Sequence, residues 1–267
     1  MRLLKKILLW AAAIVLVLYI GVCSYFYSKQ ADILFAPTKL ADNYQFKFHG
    51  KFTEKKIKTD GATLDGLLFK SDSSKGLIFY LHGNGGALDT WGDIASLYTD
   101  LCYDLFILDY RGYGKSDGKI SSEKQLFDDV QVVYDSLRSL YPENKIIILG
   151  FSIGTCPAAM LAARNHPETL ILQAPYYSMT DMMKRTYPFL PTVLLRFPLN
   201  TDKYLKEVKA PVYIFHGDAD NVIYYGSSVK LIADCKPGDE LITLPGQGHA
   251  RFTHNPDYIA ALEKILE

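Results

Sequence analysis

The chain has 267 residues, 49% of them hydrophobic, which allows one sizeable domain and an appendage. Its 29 basic and 29 acidic residues cancel, and this neutrality argues against nucleic acid as the main partner, because phosphate binding needs a basic surface. The four cysteines form no CxxC pair and the six histidines form no HExxH motif, so we expect neither a metal nor a cofactor.

The N-terminal segment, 1–29, is predicted to be a membrane anchor. Basic residues within the first six positions precede an uncharged, mostly aliphatic run at 7–23, and three aromatic residues follow at 25–27. Such a segment is long enough to cross roughly 30 Å of hydrocarbon. A cleaved signal peptide is disfavoured, because bulky side chains occupy 25–27, where small residues are needed. The positive-inside rule then places 30–267 outside the cytoplasm, in the periplasm if the source is bacterial.

An alternating pattern follows a polar and aromatic connector at 28–50. Short apolar runs predict strands at 63–70, 76–83, 103–110, 145–151, 169–175, 211–218 and 239–246. Helical periodicity predicts helices near 88–98, 121–140, 153–165, 225–235 and 256–266. Ser121 or Ser122 is a suitable cap for the second of these. Such βαβ alternation predicts a mainly parallel sheet with helices on both faces and functional groups beyond the carboxyl ends of its strands.

Residues 176–207 break this rhythm and predict a small cap inserted between two strands. The segment separates the strands by more than one loop and is rich in methionine and aromatic residues. Side chains that suit an apolar acyl chain are Met179, Met182, Met183, Tyr187, Phe189 and Leu190. The same stripe fits a helix that packs into its own core equally well.

The motif Gly150-x-Ser152-x-Gly154 stands between a predicted buried strand and a predicted helix, which is the setting of a nucleophilic serine. A serine hydroxyl needs a base and an orienting acid. His249 follows the last predicted strand on a glycine-containing loop and is favoured as the base over its rival His254, which lies near a helix start.

Two aspartates, Asp218 and Asp220, follow the preceding predicted strand, and spacing alone leaves both open as the acid. Either choice gives the chain order of nucleophile, acid and base that α/β hydrolases use.

The chain resembles the α/β hydrolase superfamily over about residues 30–267, and within it the Bem46/ABHD13-like group of single-span, membrane-anchored serine hydrolases. The resemblance rests on "YLHGNGG", "LDYRGYGKSDG", "GFSIG", "HGDADNVI" and "GQGH". It implies an α/β-hydrolase fold and selects Asp220 as the acid, with Asp218 supporting the turn. One departure is Thr155, which stands where the family often has a second glycine.

The resemblance also implies an oxyanion hole formed by the backbone N–H groups of Ile153 and Asn84. Two other histidines, His82 and His216, lie in similar His-Gly turns and are interpreted as structural hydrogen-bonding residues.

The catalytic set Ser152, His249 and Asp220 predicts a serine hydrolase, resembling esterases, lipases and thioesterases, that cleaves carboxylic ester or thioester bonds through an acyl-enzyme. We expect a small-molecule acyl substrate, including a lipid, and membrane attachment through the N-terminal helix. The same triad would also serve an acyltransferase, a C–C bond hydrolase or a serine peptidase. An alternative of another class is a non-catalytic binding protein with a hydrolase fold.

Overall fold

A computed structural model describes residues 1–267, and its first element is a long helix, α1 (Arg2–Leu34). This is the one helix in the chain that is long and apolar enough to cross a membrane, with a mean hydropathy of 2.5 in its most apolar window. The helix continues beyond residue 29, so the connector predicted from residue 28 is helical at its start. The extension is stabilised by burial, since Gln30 and Ala31 are its two buried residues.

The remainder of the chain is built on one eight-stranded sheet. Its strands are β1 (Lys51–Thr59), β2 (Ala62–Lys70), β3 (Leu77–Leu81), β4 (Asp104–Asp109), β5 (Ile146–Phe151), β6 (Thr169–Gln173), β7 (Val212–Gly217) and β8 (Glu240–Leu244). Their order in the sheet is β8-β7-β6-β5-β3-β4-β2-β1. The six strands from β8 to β4 are parallel, and β2 and β1 are antiparallel additions at one edge. All seven predicted strands are present, and β1 is an eighth that the sequence patterns did not indicate.

Helices cover both faces of the sheet, as predicted. They are α2 (Leu88–Trp91), α3 (Ala95–Asp100), α4 (Glu123–Arg138), α5 (Thr155–Arg164), α6 (Met179–Thr186), α7 (Thr201–Leu205), α8 (Gly226–Asp234) and α9 (Pro256–Leu266). The central strands are apolar throughout because successive side chains point into the two opposite cores. In β5, for example, Ile146 and Ile148 join the core under α4 and α5, whereas Ile147 and Leu149 join the core under α3 and α9.

Side chains cap the N-termini of three helices, α4, α6 and α9, by accepting hydrogen bonds from backbone amides. Ser122, one of the two predicted caps of α4, accepts a hydrogen bond from the Gln125 amide at 3.2 Å. Ser178 does the same for α6, with the Asp181 amide at 3.1 Å. Helices α6 and α7 both lie between β6 and β7, in the segment from which the sequence predicted a cap.

A buried carboxylate in β2 makes the stability of this sheet dependent on pH. Asp65 is fully buried, and its Oδ1 lies 3.2 Å from the Lys56 ammonium. Burial raises the pKa of Asp65 to about 7; nearby Glu54 adds to this effect and Lys56 opposes it. An unfolded aspartate has a pKa of about 3.9, so the folded state binds the proton more tightly than the unfolded state. The favourable contribution is complete below pH ~4 and is lost as the pH rises through about 7.

We therefore expect the Asp65→Asn variant to gain stability relative to the wild type as the pH rises from 5 to 8. The amide carries no charge to desolvate, so the difference in melting temperature should move in its favour by roughly 5–10 °C. The two pKa values change the folding free energy by about 2.5 kcal/mol between pH 5 and 8, and about 1 kcal/mol shifts the melting temperature of a domain of this size by roughly 2–4 °C. The measurement is thermal unfolding of both proteins at several pH values. The control is Asp42→Asn at an exposed turn, whose difference from the wild type should not change with pH. A constant difference for Asp65→Asn would contradict the linkage.

Candidate active site

Ser152 lies in a sharp turn between β5 and α5, directly beyond the carboxyl end of the strand. Its φ is 53°, in the left-handed region that residues other than glycine rarely adopt. Such a conformation costs about 1–3 kcal/mol and persists only where the surrounding structure enforces it. The turn therefore holds the serine at the edge of the sheet where the other parallel strands also end.

The two glycines of the motif permit this turn. A Cβ on Gly150 would lie 2.6 Å from the Gly154 carbonyl oxygen, and a Cβ on Gly154 would collide with the carbonyl oxygen of Leu81 in β3. Thr155, the departure from the resembled family, is fully buried, and its hydroxyl donates to the Ser152 carbonyl at 2.6 Å. The threonine thus adds a hydrogen bond under the turn.

A chain of hydrogen bonds joins Ser152 to the loops after β7 and β8. His249 Nε2 lies 3.0 Å from Ser152 Oγ, and His249 Nδ1 lies 2.7 Å from Asp220 Oδ2. A carboxylate can only accept, so Nδ1 carries the proton and donates it to Asp220. Nε2 is then the free acceptor for the serine O–H. The structure thus brings together the three side chains that the sequence predicted as nucleophile, base and acid.

The Asp220 carboxylate is held in its ionised form by several N–H donors. Its Oδ1 accepts hydrogen bonds from the Val222 and Ile223 amides, both at 2.8 Å. Burial raises its pKa, but the hydrogen bonds from His216, His249 and the Ile223 amide outweigh that effect and leave the pKa well below its usual range. A fixed negative charge at this position orients the imidazole and stabilises it when it is protonated.

His216, which the sequence analysis interpreted as structural, also contacts this carboxylate. Its Nε2 lies 3.1 Å from the Ile223 carbonyl oxygen and 3.3 Å from Asp220 Oδ2, and its Nδ1 lies 2.6 Å from Ser228 Oγ. Both groups facing Nε2 are acceptors, so we assign the proton to Nε2 and the accepting role to Nδ1. The ring is buried and directed at Asp220 rather than at Ser152, so His216 is a positioning residue. The His-x-x-x-Asp spacing at the end of a strand was the only sequence signal for this contact.

The other candidates for the acid and the base, Asp218 and His254, lie outside this hydrogen-bond chain. Asp218 Oδ1 accepts a hydrogen bond from the Gly246 amide at 2.7 Å, so its carboxylate links the loop after β7 to the turn after β8. His254 is in a short 3-10 helix after His249, and its Nδ1 lies 3.3 Å from Thr253 Oγ1.

The two predicted oxyanion donors, Asn84 and Ile153, line the same pocket as Ser152 and His249. The backbone N–H of Asn84 makes no hydrogen bond to the backbone. The Asn84 carbonyl, in contrast, is fixed from the other side by the Ala36 amide at 3.2 Å and the Tyr113 hydroxyl at 2.5 Å. The backbone of Asn84 is thus held at the pocket, and its N–H group is available to donate to a bound group.

The other predicted structural histidine, His82, lies below this loop. It is fully buried, and its Nδ1 is 2.7 Å from the Gly83 carbonyl oxygen. Its ring stacks on Trp91 at 5.4 Å between centroids. These contacts give His82 a structural place beneath the loop that carries Asn84.

The pocket above Ser152 has a volume of about 440 Å³ and is mainly apolar. Its walls come from the loop after β3, from Phe151 and Trp91, and from the segment between β6 and β7, which contributes Met179 and Met182. A smaller pocket of about 320 Å³ lies beyond Phe151 and Trp91 and is lined by Arg251 and His254 among others. No aspartate or glutamate lines either pocket.

The chain is similar to several known hydrolases. A family model described as serine aminopeptidase, S33, matches residues 72–206. The α/β hydrolase domain-containing protein 17B of Homo sapiens is 35% identical over 208 residues, which cover 73% of this chain and 68% of that protein. Protein 17C of Xenopus tropicalis is 31% identical over 257 residues, which cover 91% of this chain and 76% of that protein.

Solved structures share the fold at low sequence identity. The esterase PF2001 of Pyrococcus furiosus superposes with a TM-score of 0.70 at 18% identity, covering 87% of this chain and 96% of that one. Est1E of Butyrivibrio proteoclasticus, solved with ferulic acid, gives a TM-score of 0.63 at 20% identity, covering 79% and 96%. With the family match and these curated relatives, the chain belongs to the α/β hydrolase family.

Proposed function

We propose that this protein is a serine hydrolase that cleaves carboxylic ester or thioester bonds through an acyl-enzyme on Ser152. The observation that carries the proposal is the continuous hydrogen-bond chain from Asp220 through His249 to the serine hydroxyl. A polar network serving stability alone would not need a serine in a left-handed turn at the floor of an open pocket. The conformational cost of that left-handed turn also disfavours a binding protein without catalysis.

The mechanism follows from the direction of the hydrogen bonds. His249 Nε2 takes the proton from Ser152 Oγ as the oxygen attacks the acyl carbon, and the amides of Ile153 and Asn84 stabilise the resulting oxyanion. When the tetrahedral intermediate collapses, the bond to the alcohol or thiol breaks and the imidazolium returns its proton to that leaving group. Water, deprotonated by the same imidazole, then attacks the acyl-enzyme. The bond between the acyl carbon and Ser152 Oγ breaks, the imidazolium returns its proton to that oxygen, and the free acid is released. Asp220 keeps its charge throughout and stabilises the imidazolium.

The lining of the pocket favours an uncharged acyl group over a peptide N-terminus. An aminopeptidase must bind the α-ammonium group of its substrate, and a charge taken out of water needs an opposite charge. Neither pocket at Ser152 contains an acidic side chain in its walls. Hydrophobic side chains form most of the lining of the pocket at Ser152, nine of its fourteen residues, and they suit the apolar chain of an acyl ester.

Transfer of the acyl group to another acceptor and cleavage of a C–C bond would use the same triad. Product analysis separates these reactions: hydrolysis releases the free acid, and transfer leaves the acyl group on an added alcohol, thiol or amine.

We further propose that α1 is an uncleaved membrane anchor with its N-terminus inside and that the catalytic domain, from about residue 30, lies outside the cytoplasm. The basic residues before the apolar run support this orientation. Contacts between Gln30 and the segment after α6 support retention of the helix: its side chain bonds the Leu194 carbonyl at 2.5 Å and the Arg196 amide at 2.8 Å.

Placement of the chain in the Bem46/ABHD13-like group rests on the same helix and on the quoted motifs. The segment at about 176–207 is the proposed cap.

The Ser152→Ala variant should lose all labelling by a fluorophosphonate probe and all turnover of short esters, because no other group is placed to attack the acyl carbon. The measurement is in-gel labelling together with release of p-nitrophenol from its acetate ester. Circular dichroism establishes that the variant is folded. Persistent labelling would disprove the assignment of the nucleophile.

The two neighbouring aspartates give a sharper test of the triad. Asp220→Asn should lose roughly three to four orders of magnitude in kcat, because the amide presents the wrong group to His249 Nδ1; in a comparable triad the loss is about 10⁴. Asp218→Asn keeps an oxygen that can accept from the Gly246 amide, so it should retain most of the activity. Both variants are compared by turnover of one short ester after matching their circular dichroism spectra. Loss of activity in Asp218→Asn alone would reassign the acid to that residue.

A further inference from the structure

An apolar groove of about 280 Å³ lies between the C-terminal end of α1 and the segment that links β6 to β7. Eleven of its thirteen lining residues are hydrophobic, which identifies it as a site for apolar rather than polar groups. One wall is formed by Phe26, Ile33 and Leu34 of α1, and the facing wall includes Met183 of α6 and Leu195.

This groove adjoins the pocket at the catalytic serine. Leu34, Met179, Met182 and Val222 line both cavities, so the boundary that an acyl chain would cross between them is apolar. Helix α6 supplies the floor of this path with residues spaced three or four apart, and such residues share one face of a helix. From Met179 to the end of α6 that face is roughly 10 Å long.

The outer end of the groove lies against the apolar part of α1. The Tyr19 hydroxyl, within the apolar run, donates to the Phe189 carbonyl at 2.8 Å. The Phe26 ring lies 5.2 Å from that of Tyr187, measured between centroids. Around this contact Phe189 is 57% exposed and Val193 is 86% exposed. Large apolar side chains exposed beside a membrane helix mark a surface that rests on lipid.

The residues just after α1 connect it to the loop after β3, which carries Asn84 and is called here the oxyanion loop. Ala36 and Pro37 pair with Gly85 and Gly86 in a short parallel ladder, and the Ala36 amide bonds the carbonyl of Asn84. The helix end that lines the groove is therefore held in a fixed position relative to the reacting centre.

We propose that the C-terminal end of α1 forms one wall of the acyl-binding site and that the groove accepts the distal part of a long acyl chain drawn from the surrounding membrane leaflet. This inference rests on the serine hydrolase function proposed above. The carbonyl of the chain lies at Ser152, its first methylenes occupy the inner pocket, and the remainder follows α6 to the groove. A short acyl group occupies the inner pocket alone. The membrane helix then acts as a determinant of chain length as well as an anchor.

The experiment uses the full-length protein in phosphatidylcholine vesicles and p-nitrophenyl esters of acetic, butyric, octanoic and palmitic acid. The test variants are Ile33→Trp on α1 and Met183→Trp on α6, because both positions line the groove and neither lines the inner pocket. Ile33 is 45% exposed, so the larger side chain can be placed without disturbing the core. The control is Val229→Trp, which adds the same bulk at an exposed position of α8 and lines neither cavity.

Each test variant should lower kcat/KM for the palmitoyl ester by roughly 10- to 100-fold, the effect of denying burial to two or three methylene groups. Turnover of the acetyl ester should change less than about twofold, since a fragment of that size does not reach the groove. The control should resemble the wild type at all chain lengths. Each ester partitions between water and vesicles in the same way for every variant. A change in the ratio of kcat/KM for the palmitoyl ester to kcat/KM for the acetyl ester therefore reports the effect of the substitution in the groove.

Two contrary outcomes have different meanings. If Ile33→Trp and Met183→Trp leave the palmitoyl-to-acetyl ratio unchanged while the wild type hydrolyses both esters, the groove does not hold the chain and the inference is overturned, although the serine hydrolase function stands. If the wild type neither hydrolyses any ester nor reacts with a fluorophosphonate probe, the proposed function fails and the inference with it.

Discussion

The active site depends on one close approach between two backbones, where the start of α5 lies against the end of β3. Only a glycine fits at 154, because any side chain there would collide with the Leu81 carbonyl oxygen. Two residues before this contact the chain reverses over Ser152 in a left-handed conformation, which costs about 1–3 kcal/mol. The strands β3 and β5, paired in register and buried on both faces, supply the rigidity that maintains the turn. The hydroxyl is thereby fixed beside the loops that carry His249 and Asn84.

Two buried carboxylates in this protein show how the number of N–H donors decides the charge state. Asp65 has one ammonium group within 3.2 Å and no other close donor to its carboxylate, and burial raises its pKa to about 7. Asp220 is also buried, but backbone amides and two imidazoles face it, and its pKa falls well below the usual range. Because the donors compensate for lost hydration, Asp220 can stay ionised next to His249, whose imidazole becomes positively charged in the proposed reaction. The sheet thus tolerates a titrating carboxylate in β2, beside its edge strand, but holds a permanent charge on Asp220 at the candidate active site.

Much of the fold was predictable from the sequence, and the exceptions have physical causes. Among the predicted strands, β3 and β5 are uninterrupted apolar runs because both faces of the sheet are covered at its centre. Strand β1 was missed because it is an edge strand with four lysines in nine residues, and such charges protect an exposed edge instead of marking a core. The end of α1 was placed too early because its last turns are polar in sequence and buried only by distant contacts. The three triad positions follow strand ends and carry local motifs, whereas the contact of His216 with Asp220 depends on a ring orientation that spacing does not specify.

The position of α1 links the membrane proposal to the catalytic one. A flexible tether would let the domain rotate relative to the bilayer, so that an acyl chain would have to leave the lipid before it reached Ser152. Here Gln30 is hydrogen-bonded to the Leu194 carbonyl and the Arg196 amide, and the chain after α1 pairs with the oxyanion loop. Those contacts fix the direction in which the groove opens. If α1 spans the membrane as proposed, the groove faces the lipid at every moment. The proposed acyl chain then enters the groove while remaining in apolar surroundings, which avoids the cost of exposing each methylene to water.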